Sequence, residues 1–338
     1  MDTMRAIVYT DNLPVSDERA FVDVELPTPA PGPHDLLVEV RAVSINPVDV
    51  KQRAKAKPPA EGRVLGYDGA GIVRAVGSAV ELFGVGDEVY YAGAIDRPGS
   101  NSEYQLVDER IVGLKPANLD FADAAALPLT TVTAWEALFD KLKLHDASRG
   151  TLLVVGASGG VGSMMLQLVD ALLPNVTVIG TASRPEAVTW EEGFGVTATV
   201  NHREDLVAQV RAVAPGGVDW IFTSHSTGQL ANYVELLKPF GEIVAIDDPG
   251  SLDAPSLKNK SLSWHWEYMF AKSLHGAANL VSQHEALDEV AGLVNAGRIV
   301  TTATVRLSPL DAATLREAHR LVEAGDVIGK VVVSGWPR

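Results

Sequence analysis

No cysteine occurs among the 338 residues, which removes disulfides, thiolate metal sites and cysteine nucleophiles together. Basic residues are scarce: 28 Lys and Arg stand against 43 Asp and Glu, a formal net charge of −15. Such a balance disfavours nucleic acid or an anionic membrane as partner, and an anionic cofactor would need a local positive site working against that field. Long apolar runs are missing as well. No stretch reaches the length of a bilayer span, and MDTMRAIVYTD lacks the basic-then-apolar form of a signal peptide. A cytoplasmic protein with no membrane partner is the expectation. Internal repeats and low-complexity segments are absent too.

What is present is apolar residue in quantity, 46% of the chain, enough for sizeable cores in two domains of ordinary size. The chain is organised around residues 151–184. Thr151 to Val155 is a β-branched apolar run suited to a buried parallel strand. Gly156, Ala157, Ser158, Gly159 and Gly160 follow, with no side chain larger than a hydroxymethyl before Val161. From there Val161, Met164, Met165, Leu168 and Leu172 fall at helical spacing, and Val176 to Ala182 is a second strand. The whole is one βαβ unit. Small residues ahead of a helix let a pyrophosphate approach backbone N–H groups at the positive end of the helix dipole. In the usual dinucleotide fingerprint the three glycine places correspond to Ala157, Gly159 and Gly162, so the first glycine is alanine here. The same residues also fit the G-x-S-x-G nucleophile elbow of a serine hydrolase, with Ser158 as nucleophile and acids and histidines such as Asp247 and His265 following in the required order.

Residues 1–120 alternate apolar and polar over short segments. Arg5–Thr10, Phe21–Leu26, Asp35–Val43, Ala70–Val76, Glu88–Tyr91 and Glu103–Val107 read as strands of a compact β domain of barrel type, interrupted by a short helix over Val48–Arg53. From Phe121 the period changes. A helix is expected over 127–144, then helices at Ala187–Glu192, Asp205–Val213 and Gln229–Leu237. These alternate with strands at Ala198–Val200, Val218–Thr223 and Glu242–Ile246, a doubly wound parallel sheet. Residues 261–277 start strand-like and turn into an aromatic-rich helix. Amphipathic helices at His284–Ala296 and Pro309–Ala324 precede a last strand, Lys330–Ser334.

SINPVD (44–49), VLGYDGAGIV (64–73), VGDEVYY (85–91), LPLTTVTAWEAL (127–138), GASGGVG (156–162) and GKVVV (329–333) together resemble the medium-chain dehydrogenase/reductase superfamily. The resemblance covers essentially the whole chain. It is nearest to the zinc-free quinone oxidoreductase branch, and to bacterial proteins labelled "zinc-type alcohol dehydrogenase-like" that share SLSWHWEYMF. It implies an α/β fold: a GroES-like β-barrel catalytic domain over 1–124, completed by about 275–338, and a Rossmann doubly wound parallel sheet over 125–274. It also implies that no metal is bound. Zinc alcohol dehydrogenases bind their catalytic metal through Cys and a His-Glu pair where this chain has Asn46 and Tyr67-Asp68, and the four-cysteine zinc loop is missing. A β domain ahead of the sheet and the absence of an HGGG-type oxyanion segment speak against the hydrolase.

NAD-selective sites carry an acid at the end of the second strand. This strand ends instead in Ser183-Arg184, a hydroxyl and a guanidinium suited to a 2′-phosphate, so NADPH is the expected cofactor. By resemblance its other contacts are Asn46, Thr133 near the nicotinamide, Ser158, Gly159, Gly160 and Val161 at the pyrophosphate, His202, His225, Ile246 and Lys330. Asn46, Asp49 and Tyr67 are the expected catalytic group, with Tyr67 bonding the acceptor oxygen and Asp49 orienting its loop. Trp264, Trp266, Tyr268 and Met269 are candidates for an apolar wall. The implied reaction passes a hydride to a quinone or an α,β-unsaturated carbonyl, in a homodimer or homotetramer. The other reading kept open is a non-catalytic NADPH-binding protein of the same fold.

Overall fold

The computed structural model describes residues 3–337. The chain divides into two compact units, Met1–Val132 with Phe270–Arg338, and Thr133–Met269.

The first unit is built on two sheets. Strands Val22–Pro27, Thr3–Tyr9 and Arg63–Val64 form the smaller. In the larger, Asp35–Ile45 is central, paired with Gly69–Val76, with Tyr104–Asp108 and with the last strand, Lys330–Ser334. Asp35–Ile45, rich in Leu, Val and Ile, is buried along most of its length and paired along both edges. Glu88–Tyr91, Val112–Leu114 and Ala303–Leu307 complete the sheet. Lys330–Ser334 runs antiparallel to Asp35–Ile45 with Val331 opposite Ile45 and Val333 opposite Val43. The same register brings Lys330 alongside Asn46. Helix Pro47–Lys55 starts at that asparagine, with proline at its first position and Asp49 closing a capping box.

The second unit is a six-stranded parallel sheet in the order Ala198–Val200, Val176–Thr181, Gly150–Val155, Val218–Thr223, Leu237–Ala245, Ser263–Trp266. Sequence order reverses between Gly150–Val155 and Val218–Thr223, the switch point beyond whose carboxyl ends such sheets take their ligands. The α/β class, the Rossmann sheet and the GroES-like unit are as the sequence indicates.

Three local readings are corrected. The helix expected over 127–144 is α-helical only at Pro128–Trp135. It continues as a π-helix over Glu136–Lys141, with i to i−5 bonding such as Leu142 N–H to Ala137 O, and Lys143 closes it at φ 54°. The strand expected from Glu242 begins at Leu237. Its register against Val218–Thr223 jumps between Leu237 and Glu242, and the intervening residues bulge outward with Phe240 at φ 66° and 78% exposed. The strand-like start of 261–277 is the strand Ser263–Trp266, paired with Glu242–Ala245, but the helix after it is only Ala271–Leu274 and holds none of the aromatic residues, because sheet pairing keeps Trp264 and Trp266 in the strand. Among the described residues no helix is long and apolar enough to cross a membrane.

His319, on helix Ala312–Ala324, is wholly buried against Phe21, ring centroids 4.7 Å apart, and neither ring nitrogen has a hydrogen-bond partner. Burial, then the nearby Arg53 guanidinium, lowers its pKa to about 3. A folded-state pKa below the unfolded value of about 6.5 contributes stability that is complete above that value and lost as pH falls toward 3. Comparison of urea unfolding of the wild type and His319→Leu should therefore show the wild type losing a few kcal/mol relative to the variant between about pH 7 and 4. A difference independent of pH would refute a neutral buried imidazole.

Candidate functional site

In the second unit the bend after Val155 has a backbone that only small residues allow. Gly156 sits at φ +85°, where a Cβ would lie 2.4 Å from Ser224 Oγ. Its N–H donates to Thr181 Oγ1 at 3.0 Å. A Cβ on Gly162 would lie 2.3 Å from Gly156 O and 2.5 Å from Ala157 Cα, so the helix can seat this close to the bend only with glycine there. Gly159 is the N-cap of helix Gly160–Leu172 and offers no side chain to its first N–H groups. Its extended backbone is ordinary, and a Cβ there would meet only Gly156 O, at 3.4 Å. Ser158, Gly159, Gly160 and Val161 are all partly exposed. The bend therefore presents unspent donors at a helix start, the requirement for linked phosphates.

Ser183 and Arg184 follow the second strand, both half-buried, with Arg184 as N-cap of helix Pro185–Glu192 and its Nε 4.0 Å from Glu186. An acid that sequence reasoning missed lies close by. Glu191 is fully buried over Gly180, accepts from Thr199 Oγ1 at 3.1 Å, and has its pKa pushed up to about 7 by burial. It comes from the following helix, so strand-end inspection does not reveal it, and its burial turns it away from a ribose. His202 and His225 are exposed; partial desolvation first, then the charges of Arg203 and His225, lower the His202 pKa. The turn carrying His225 is held by Thr223 Oγ1, which accepts its N–H at 2.9 Å, and by Tyr233, whose hydroxyl donates to His225 O at 2.8 Å. Ile246 directly follows the adjacent strand Leu237–Ala245, half-buried. The hydrolase relay is not assembled. Asp247 accepts from Ser226 N–H and Oγ at 2.7 and 2.9 Å, and His265 pairs with Glu242 at 2.8 Å. Of the aromatic wall candidates, Trp264 and Trp266 pack edge to face at 5.3 Å, Trp266 and Tyr268 are about half exposed and Met269 is buried.

In the first unit, Asn46, Asp49, Tyr67 and Lys330 are brought together with Asp68, and all are buried. Asp49 accepts from the N–H of Asn46 at 2.9 Å and of Gly66 at 3.1 Å, which fixes the loop. Burial pushes its carboxyl up to about 7. Asn46 Nδ2 donates to Asp68 Oδ2 at 2.7 Å, and its Oδ1 accepts from Lys330. Lys330 Nζ also donates to Ile45 O at 3.2 Å and to Asp68 Oδ2 at 2.9 Å, so its three N–H groups are taken by protein oxygens. Tyr67 packs on Phe270, and its oxygen accepts from Arg63 at 3.1 Å. Burial, ahead of the Asp49 charge, raises the phenol's pKa. Thr133, the first residue of the second unit, is buried on helix Pro128–Trp135.

These donors do not suit zinc. Asn46 and Tyr67-Asp68 supply one carboxylate, with the Lys330 ammonium already against it. Among the described residues no group of three or more His, Asp or Glu side chains is placed to hold a metal ion.

Residues 32–117 match the alcohol dehydrogenase GroES-like domain and residues 194–333 the zinc-binding dehydrogenase family. A zinc-type alcohol dehydrogenase-like protein of Staphylococcus aureus is 38% identical over 98% of this chain and all of its own. The NADPH-dependent alkenal/one oxidoreductase of Arabidopsis thaliana chloroplasts is 29% identical over 99% of this chain and 80% of its own. Among solved structures, a Rhizobium etli protein assigned to the zinc-dependent alcohol dehydrogenases superposes with a TM-score of 0.96 at 46% identity over the whole of both chains. These relations, with the sheet and its bend, make the fold that of a nicotinamide-dependent dehydrogenase.

Two alanine substitutions separate ligand access from folding. Gly162→Ala forces the helix off the bend and should lower stability by about 1–3 kcal/mol along with nucleotide affinity. Gly159→Ala meets no such clash, so it should keep the melting temperature yet bind nicotinamide nucleotide at least about 10-fold more weakly in fluorescence titration. Wild-type affinity in Gly159→Ala would show that the bend is not the phosphate site.

Proposed function

This chain belongs to the medium-chain dehydrogenase/reductase superfamily, and from that premise we propose that it is an NADPH-dependent, metal-independent reductase of quinones or α,β-unsaturated carbonyls. The observation that carries the proposal is the open glycine bend of Gly156–Gly162 followed, at the end of the next strand, by Ser183-Arg184 with no acid presented to solvent in their place. The name of the Arabidopsis relative, an NADPH-dependent alkenal/one oxidoreductase, supports the cofactor and the acceptor class.

When bound, NADPH supplies a hydride from C4 of its nicotinamide to the electron-poor carbon of the acceptor. The first-turn N–H groups at Gly160 and Val161, with Ser158, hold the pyrophosphate; Ser183 and Arg184 hold the 2′-phosphate. Thr133, His202, His225 and Ile246 complete the cofactor's surroundings. Quinones and enones spread the developing negative charge through their own conjugation, so they need alignment and one hydrogen bond to oxygen more than a Lewis acid. Tyr67 is the donor in this reading. Its oxygen already accepts from Arg63, which leaves the phenolic proton to give, and its raised pKa keeps that proton in place. Asp49, with both oxygens on backbone N–H groups, and Asn46, with its amide between Asp68 and Lys330, position the loop that carries the site. Assembly as a homodimer or homotetramer belongs to the same reading, supported by the half-exposed Trp266 and Tyr268 at the edge strand Ser263–Trp266.

One observation favours a second reading, a protein that binds NADPH without turning it over: Asn46, Asp49 and Tyr67 are each at most 2% exposed. Mixing the protein with NADPH and 9,10-phenanthrenequinone, or an enal, decides between them. Loss of the nicotinamide absorbance, unaffected by chelators, is expected; tight NADPH binding with no oxidation across such acceptors selects the binding protein. Arg184→Glu should weaken NADPH about 10- to 100-fold while leaving NADH within a few-fold. Equal losses for the two nucleotides would remove the 2′-phosphate assignment.

A further inference from the structure

Asp68 is the residue of the buried cluster that sequence reading gave no task beyond marking a lost metal ligand. Its side chain is fully buried and its two oxygens face different segments. Oδ2 takes the Lys330 ammonium at 2.9 Å and Asn46 Nδ2 at 2.7 Å. Oδ1 takes the backbone N–H of Leu129 at 2.8 Å. Its backbone oxygen is held by Ser100 Oγ at 2.7 Å. Leu129 is the second residue of helix Pro128–Trp135, and the first is a proline with no N–H to give. The first donor of that helix is therefore capped by a carboxylate 61 residues away in the chain, while its positive end faces a negative charge. Thr133 follows Leu129 by four residues, one turn along the same face.

We infer that Lys330 and Asp68 form a positioning pair, in which the ammonium fixes the carboxylate, the carboxylate fixes the amino end of helix Pro128–Trp135, and the helix thereby sets Thr133 against the nicotinamide. The inference rests on the reductase reading for the last of these links and on hydrogen bonds within one unit for the first two. Lys330 is suited to the task because its three donors are divided between Ile45 O, Asn46 Oδ1 and Asp68 Oδ2, so it cannot swing without breaking several charge-assisted bonds. Burial raises the Asp68 pKa while the ammonium opposes the rise, so the lysine is also what favours the charged form of the cap.

The test compares wild type, Lys330→Met and the double variant Asp68→Asn/Lys330→Met. The single variant strands a buried carboxylate and is expected to lose stability; the double removes both charges and retains the fold. In both, backbone hydrogen exchange should rise in the peptide spanning 127–135 and remain at wild-type level in 160–172. With NADPH and 9,10-phenanthrenequinone, kcat should fall about 10- to 100-fold with little change in the KM for quinone, and the primary isotope effect from C4-deuterated NADPH should increase. Wild-type exchange in 127–135 in a folded double variant would overturn the clamp. Raised exchange with a wild-type isotope effect and kcat would overturn the link to the nicotinamide. A wild type that binds NADPH without turnover overturns the reductase reading instead, and since exchange requires no turnover, it still decides the clamp. A wild type that binds no nicotinamide nucleotide overturns that reading and the link to Thr133 together.

Discussion

An ammonium buried among oxygens is where the first unit is tied together. Lys330 reaches Ile45, Asn46 and Asp68, and Asp68 reaches Leu129, so four stretches far apart in the chain meet within a few hydrogen bonds. Burying charge is costly unless every partner is in place. Here each carboxylate oxygen, the amide and each ammonium proton has one. Such a cluster tolerates little displacement, which makes it a reference point for the loop at Asn46 and for the helix beginning at Pro128. The strand that delivers Lys330 is itself held by a ladder whose register leaves no choice: a slip of one residue would turn Val331 and Val333 to the wrong side of the sheet.

The second unit solves the opposite problem. There the need is for backbone with nothing on it. Gly162 is required by packing against Gly156 and Ala157, whereas Gly159 is free of such contacts and sits at an ordinary backbone angle. Two glycines three residues apart thus stand under different constraints, one fixed by packing inside the fold and one left free of it. A chain with a charge of −15 binds an anion best where helix-start N–H groups and an arginine act at short range, since those contacts depend little on the distant field.

Relatives named for zinc and a site that does not suit zinc are reconciled by chemistry at a few positions. The fold places its segments as in the dehydrogenases it resembles, but Asn46 and Tyr67 offer an amide and a phenol, and the single carboxylate, Asp68, is engaged by lysine. The scaffold and the donor set vary separately, which is why membership of the superfamily leaves the acceptor to be decided by the site.

Much of this was legible in the chain. The bend after Val155, the alternation of strand and helix beyond it, and the β character of the first 120 residues follow from side-chain size, period and Gly/Pro punctuation, all local properties. So does the absence of an acid after the second strand. Where the structure departed, a longer-range force was at work: sheet pairing held Trp264 and Trp266 in a strand and left the following helix as Ala271–Leu274 alone, a register jump pushed Phe240 out, and the turn at Lys143 ended a π-helix that helical spacing alone does not reveal. Glu191 and the Lys330–Asp68–Leu129 chain could not be read at all, because no spacing rule connects residues 61 or 262 positions apart. The linear sequence determined the elements, the bend of small residues after Val155 and the missing thiolates. Only the three-dimensional arrangement decided which buried charges meet, since a buried carboxylate takes whichever donor the packed strands bring within about 3 Å.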